Sequence, residues 1–253
     1  MSIDISNYFQ IKEIGKGAFS KVFLYELLES EKQSNKNKLI EKYKEEYEKI
    51  VVKSINSKYF KYVDNEIRIL NQINSYDNPY IIKYLGCRNI PSNKSLFFEI
   101  GGINLYSFYK KIKYDSDDII NIGYQIFKGI EFIHSIDVIH TDLKPENILI
   151  NKKTLDIKII DFGSALEKEK IKYNNFYLCT RYYRAPELSY KLYFNEKIDI
   201  WSIGCIIIEL ISGKPLYLPK NELQLIEFTN DLLGTPTLLE YTSSEKYKKL
   251  FLD

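Results

Sequence analysis

The chain has 253 residues, 45% of them hydrophobic, with 36 basic and 34 acidic side chains and a formal net charge of +2. That length and apolar content suffice for one packed domain, or one built of two lobes, and exclude wholesale disorder. The balanced charge provides no global field for nucleic acid or an anionic membrane.

In chain order, residues 8–14 and 22–25 read as two strands flanking a glycine turn. Residues 26–49 form a Lys/Glu/Asn-rich insertion without Gly or Pro. Leu39, Tyr43 and Tyr47 recur there every fourth residue, so it reads as a solvated loop or a charged surface helix. A β-branched strand follows at 50–55, then a helix over 64–73 with Ile67, Leu70 and Ile73 on one face, and a strand at 95–100. Ile119, Ile122, Ile126, Ile130 and Ile133 form the apolar stripe of a core helix. Short strands follow at 138–139, 148–150 and 157–160, and the pattern from Lys197 onward is helical and strongly apolar. The cysteines Cys87, Cys179 and Cys205 are far apart, with no CxxC pair and no histidine at ligand spacing. This favours a reduced intracellular setting and argues against a zinc site. The N-terminus lacks the basic-then-apolar order of a signal peptide. The most apolar stretch, 203–211, is interrupted by Glu209 and is too short to span a bilayer. A strand-rich front and helix-rich back predict an α+β fold of two lobes, 1–99 and 100–253, with a hinge near 99–102.

Four motifs carry chemistry. The first is Gly15-Lys16-Gly17-Ala18-Phe19-Ser20-Lys21-Val22, a glycine turn that lets backbone N–H groups approach phosphates, or else an ordinary hairpin. The second is Lys53, which ends a β-branched run and needs an anionic partner if buried. Glu66 on the next helix could supply it, leaving the ammonium toward phosphates; the alternative is an edge-strand lysine with a surface glutamate. The third is His140-Thr141-Asp142-Leu143-Lys144-Pro145-Glu146-Asn147, followed fourteen residues after Asn147 by Asp161-Phe162-Gly163. Phosphoryl transfer needs positioning and charge neutralisation. Asp142 fits a base beside the attacking hydroxyl, and Lys144 can reach the transferring group. The hard oxygens of Asn147 and Asp161 suit magnesium. The fourth is Thr180-Arg181-Tyr182-Tyr183-Arg184-Ala185-Pro186-Glu187, with Asp199-Ile200-Trp201-Ser202-Ile203-Gly204 beyond it.

These motifs resemble those of the eukaryotic protein kinases, from the glycine loop to about Pro236. The resemblance implies a small antiparallel N-lobe sheet with helix C, a mainly helical C-lobe, and Mg-ATP between the lobes. Nucleotide contacts would come from Ile14, Gly15, Lys16, Gly17, Ala18, Phe19, Ser20, Val22, Val51, Lys53 and Glu66. Phe98 would be the gatekeeper before hinge residues Glu99 and Ile100, with Leu149 beneath the adenine. Lys144 resembles the serine/threonine class, in which Thr180 bonds both the base and the lysine. Glu187 would anchor the activation segment, Asp199 would bond the catalytic-loop backbone, and Leu70, His140 and Phe162 would join an interlobe stack.

Arg184 before Ala-Pro-Glu resembles the CMGC group, with mixed glycogen synthase kinase, dual-specificity tyrosine-regulated and LAMMER features. In several of its families the position of Tyr177 carries an activating phosphotyrosine; the alternative is a merely exposed tyrosine. Thr141, Asn65 and Leu166 stand where glycogen synthase kinases use basic residues to read a priming phosphate, so no primed-substrate pocket is expected. Nor is dependence on a phosphothreonine in the activation loop expected, and the LAMMER and dual-specificity branches become the better analogues. The segment after Pro236 has no clear counterpart to the family's further helices, which would leave the C-lobe incomplete and Glu187 without its arginine. The resulting expectation is a monomeric, cytoplasmic or nuclear serine/threonine kinase, or a dual-specificity one, using ATP and Mg²⁺ on protein substrates. The alternatives are a pseudokinase scaffold and, more remotely, a nucleic-acid module.

Overall fold

A computed structural model describes residues 4–17, 20–28, 47–90, 93–171 and 178–235. The chain divides into two compact units, the first formed by Met1–Asp77 with Ile82–Gly101 and the second by Asn78–Ile81 with Gly102–Asp253. Much of the charged insertion, together with Ala18, Phe19 and Tyr177, lies outside the described residues.

The first unit is a five-stranded antiparallel sheet. Its strands are β1 (Tyr8–Lys16), β2 (Ser20–Leu27), β3 (Lys49–Asn56), β4 (Tyr84–Ile90) and β5 (Asn93–Phe98), in the order β1-β2-β3-β5-β4. The β-branched β3 is central, hydrogen-bonded on both sides, and Ile50, Val52 and Ile55 point from it into buried space. Ile50 and Val52 pack with Leu85, Phe97 and Tyr47. Tyr47 was expected on a surface. It is instead 1% exposed, its ring serving as core and its carbonyl accepting the Tyr8 hydroxyl at 2.9 Å.

Helix α1 (Phe60–Ile73) buries Val63, Glu66, Leu70 and Ile73, spaced as one helical stripe. A glutamate in that stripe is the exception that needs a chemical reason. Asn74 at the end of the helix ties it to β4 through hydrogen bonds with the Tyr84 backbone.

In the second unit, β6 (Ile103–Asn104) leads into α2 (Leu105–Lys111), whose first turn is capped by Asn104 through the Ser107 N–H at 2.7 Å. Helix α3 (Ser116–Ser135) begins with a reciprocal capping box of Asp115 and Asp118. It buries Ile122, Ile126, Ile130 and Ile133, each contributing roughly 1.5–3 kcal/mol of apolar transfer. Gly129 of this helix allows close packing, because a Cβ there would sit 2.7 Å from Ile159 Cδ1 and 3.1 Å from Tyr80 Cβ and would force the Ile159 side chain to shift. Gln125 binds the strand beyond it, accepting from Ile157 N–H and donating to the Leu155 carbonyl.

Strands β7 (Val138–Ile139), β8 (Ile148–Ile150), β9 (Ile157–Ile159) and β10 (Leu166–Glu167) build two small antiparallel ladders, β6-β8-β9 and β10-β7. Gly102 adopts φ +108°, and a Cβ there would collide with the Ile150 carbonyl at 2.2 Å. Residues 78–81 belong to this unit because Tyr80 and Ile81 bridge to Ile159. After the short α4 (Pro186–Ser189) come α5 (Lys197–Ser212), which packs on α3, and α6 (Glu222–Leu233). Among the described residues, no helix is long and apolar enough to cross a membrane.

Candidate active site

In the first unit, β1 and β2 form the hairpin that carries the glycine motif, closed by Gly17 N–H donating to the Ser20 carbonyl at 2.8 Å. Ile14 is exposed, Lys16 ends β1, and Gly15 pairs with Val22, which itself pairs with Lys53 on β3. Val51 lies between Leu24 and Phe98. Phe98 is buried against Tyr84, Glu99 accepts from Lys83 N–H, and Ile100 is exposed.

Lys53 sits on the central strand, not an edge, and its Nζ lies 2.7 Å from Glu66 Oε1. Glu66, buried in the helix stripe, is therefore no surface residue; its side chain is 5% exposed and that of Lys53 19%. A carboxylate in an apolar stripe is tolerable with a cation at hydrogen-bond distance.

In the second unit, β7 and β8 bracket the loop 140–147, and the pairing of β8 with β9 brings the residues after β9 beside it. Ile160 N–H donates to the Asn147 carbonyl at 3.0 Å. One net converges on Asp142. Thr180 donates to Oδ1 through its hydroxyl at 2.7 Å and its backbone N–H at 2.9 Å. Lys144 Nζ donates to Oδ2 at 2.7 Å and to Thr180 Oγ1 at 3.0 Å. Asn147 Nδ2 donates to the Asp142 carbonyl at 2.8 Å and to Oδ2 at 3.2 Å. With its amide nitrogen engaged, Asn147 keeps its amide oxygen as a hard donor. Asp161 stands at φ +65°, a left-handed conformation at the start of the Phe162–Ser164 turn.

Asp199, fully buried on α5, accepts from His140 N–H at 2.8 Å and Thr141 N–H at 2.9 Å, and lies 2.9 Å from His134 Nε2. The His140 ring faces the Ile160 carbonyl with Nε2 and the Asp142 N–H with Nδ1, so it donates through Nε2 and accepts through Nδ1. It packs on Phe162 with ring centroids 5.2 Å apart. Leu70, read from the sequence as part of the same stack, is buried in the first unit.

Farther along, Arg184 donates to the Leu178 and Cys179 carbonyls and to Glu222 at 2.6 Å. Arg181 donates to the Lys220 carbonyl. Burial pushes the Glu187 carboxyl above its ordinary value of 4.5, and no side-chain partner offsets it among the described residues. A carboxyl whose pKa is raised by folding destabilises the fold once ionised, so stability falls as pH rises from about 4.5 through the folded value. Glu187→Gln is therefore expected to raise the melting temperature of this chain by a few degrees at pH 7. The gain should vanish below pH ~4.5, a comparison that thermal denaturation at the two pH values makes directly.

Sequence reasoning missed Glu209. It reads there only as an interruption of an apolar run, yet it is fully buried and accepts from the Tyr109 hydroxyl and, at 2.6 Å, from the Tyr183 hydroxyl. Burial, reinforced by that carboxylate, pushes both phenols far above the ordinary tyrosine range. The signal was present, since a glutamate inside an apolar helix requires donors.

Among the described residues, no group of three or more His, Cys, Asp or Glu side chains could hold a metal on its own. A divalent ion at Asn147 and Asp161 would therefore need ligands from phosphate and water, as magnesium commonly does.

The fold of both units and the net around Asp142 define a protein kinase domain. The chain belongs to the family described as Protein kinase domain, which matches residues 8–250. It is 34% identical over 238 residues to Homeodomain-interacting protein kinase 1 of Caenorhabditis elegans, covering 90% of this chain and 28% of that protein. It is 31% identical over 263 residues to Mitogen-activated protein kinase 5 of Arabidopsis thaliana, covering 97% and 64%. To Mitogen-activated protein kinase sty1 of Schizosaccharomyces pombe it is 38% identical over 176 residues, covering 65% and 49%. The chain thus spans between 28% and 64% of the length of these relatives. Mitogen-activated protein kinases belong to the CMGC group that Arg184 resembles.

Proposed function

We propose that this chain is the catalytic domain of a serine/threonine protein kinase of the CMGC group, transferring the γ-phosphate of Mg-ATP to protein hydroxyls. The observation that carries the reading is the net in which Thr180, Lys144 and Asn147 all converge on the Asp142 carboxylate. In this assignment Asp142 orients the attacking hydroxyl and accepts its proton late in the transfer. Lys144, already 2.7 Å from that carboxylate, stands beside the transferring group. Lys53, oriented by Glu66, holds phosphate oxygens, and the glycine hairpin covers them with backbone N–H groups. Asn147 and Asp161 would hold magnesium, each offering a hard oxygen. The bound ion would neutralise charge on the transferring phosphoryl group.

A positional-scanning peptide library with radiolabelled Mg-ATP tests this reading. Transfer to serine and threonine peptides is expected, with proline accepted after the target residue. Peptides carrying a pre-installed phosphate should be no better than unphosphorylated ones, because Asn65 and Leu166 supply no cation and Arg184 is bound to two carbonyls and Glu222. Absence of transfer to any peptide would overturn the proposal, and a large gain on primed peptides would overturn its specificity. Tyrosine peptides in the same library decide dual specificity.

A further inference from the structure

Thr141 precedes Asp142 and is fully buried at φ +67°. A β-branched residue rarely adopts this left-handed conformation, so neighbouring bonds have to hold it there. Two do. Its N–H donates to Asp199 Oδ1 at 2.9 Å, and its hydroxyl donates to the Ser164 carbonyl at 2.8 Å. Ser164 closes the turn that begins at Phe162 and immediately precedes Ala165, which is buried, and β10, which pairs with β7. The first residues of the activation segment are therefore fixed twice, by the β7–β10 ladder and by one threonine hydroxyl from the catalytic loop.

Each of the four cations along the described part of that segment already has a partner, although Arg181, whose Nη1 donates to the Lys220 carbonyl, keeps a buried Nε without one among the described residues. Lys168 donates to the His134 carbonyl and pairs with Asp137, Lys170 pairs with Glu167, and Arg184 holds two carbonyls and Glu222. We propose that Thr141 is a positioning residue, its hydroxyl a standing latch that holds the start of the activation segment in register with Asp142 without an added phosphate. The latch makes the catalytic loop and the segment one hydrogen-bonded body: Asp199 fixes the Thr141 backbone, and Thr141 fixes Ser164.

The test uses the whole chain and three variants. Thr141→Val keeps the branched shape and removes the hydroxyl. Thr141→Gly removes the hydroxyl while relieving the left-handed backbone, so it separates loss of the latch from failure to fold. Thr141→Ser restores the donor. The readouts are hydrogen exchange at the amides of residues 164–167 and steady-state kinetics. The valine and glycine variants should exchange about tenfold faster there and lose about tenfold in kcat with KM values unchanged, as expected for one lost hydrogen bond. The serine variant should match the parent, and phosphatase treatment of the parent should leave its rate unchanged. The latch is refuted if valine and glycine variants exchange and turn over like the parent, or if serine fails to rescue. A phosphatase-induced loss of activity would refute it too. The activity arm rests on the kinase reading; the exchange arm does not. A parent chain that transfers no phosphate therefore sinks the proposed function while exchange still decides the latch.

Discussion

Asp142→Asn is expected to lower phosphotransfer by about three orders of magnitude, within the range that general-base removal produces, while ATP binding survives. The substitution is nearly isosteric, so the net around the side chain is disturbed little. Thr180 N–H and Oγ–H can still donate to the amide oxygen that replaces Oδ1. The change falls at the second atom. The oxygen that receives Lys144 at 2.7 Å and Asn147 at 3.2 Å becomes an NH₂ group, which cannot accept from either and cannot take a proton. Lys144 keeps its bond to Thr180 Oγ1, so the lysine is not cast loose. The expected signature is a collapse of kcat with nucleotide affinity within a few-fold of the parent, read by a radiolabel assay beside calorimetric ATP titration. Retained activity would refute the base assignment. Joint loss of ATP binding and activity would show a structural role instead.

What the sequence made legible follows from where the information resides. The loop 140–147 and Asp161-Phe162-Gly163 were legible because phosphoryl transfer needs particular functional groups at fixed spacing, and short motifs hold that spacing. The Ile stripe of α3 and the β-branched run of β3 were legible because periodicity reports burial. Strand order was not. That β3 is central depends on β5 pairing beside it and β4 beyond, and β4 carries Gly86, Arg88 and Asn89, which weaken any strand signal. For the same reason Lys53 remained ambiguous between an edge lysine and a buried one. Tyr47 was misplaced because charged neighbours hid a residue whose burial comes from β3, β4 and β5. Strands of two residues, such as β6, β7 and β10, are too short to show a period, and β6 and β10 went unread. The partnerships of Asp199 with His134 and of Glu209 with Tyr109 and Tyr183 span 65, 100 and 26 residues, distances over which only the fold makes contact.

Lys53 permits a separation of stability from catalysis that a single substitution cannot give. Lys53→Met removes the cation 2.7 Å from a carboxylate whose side chain is 5% exposed. Breaking a buried pair from one side costs about 3 kcal/mol, which for a chain of this size lowers the melting temperature by roughly 6–12 °C. Phosphotransfer should fall by about 10²–10³-fold, the usual consequence of removing one preorganised charge that faces the transition state. Both losses could come from a damaged fold, so the single variant is ambiguous. Glu66→Leu in the Lys53→Met background resolves it. Leucine suits the stripe of Val63, Leu70 and Ile73 on α1, and replacing both members of a buried ion pair with apolar groups is often neutral or stabilising. The double variant is therefore expected to regain most of the parent's melting temperature and none of its activity, because no ammonium remains to hold phosphate oxygens. Thermal denaturation and the radiolabel assay, run on the same preparations, check both halves. If activity returns with stability, Lys53 serves the fold alone and its assignment to phosphate fails. If neither returns, the β3–α1 packing depends on the pair in a way that burial and a 2.7 Å contact do not explain.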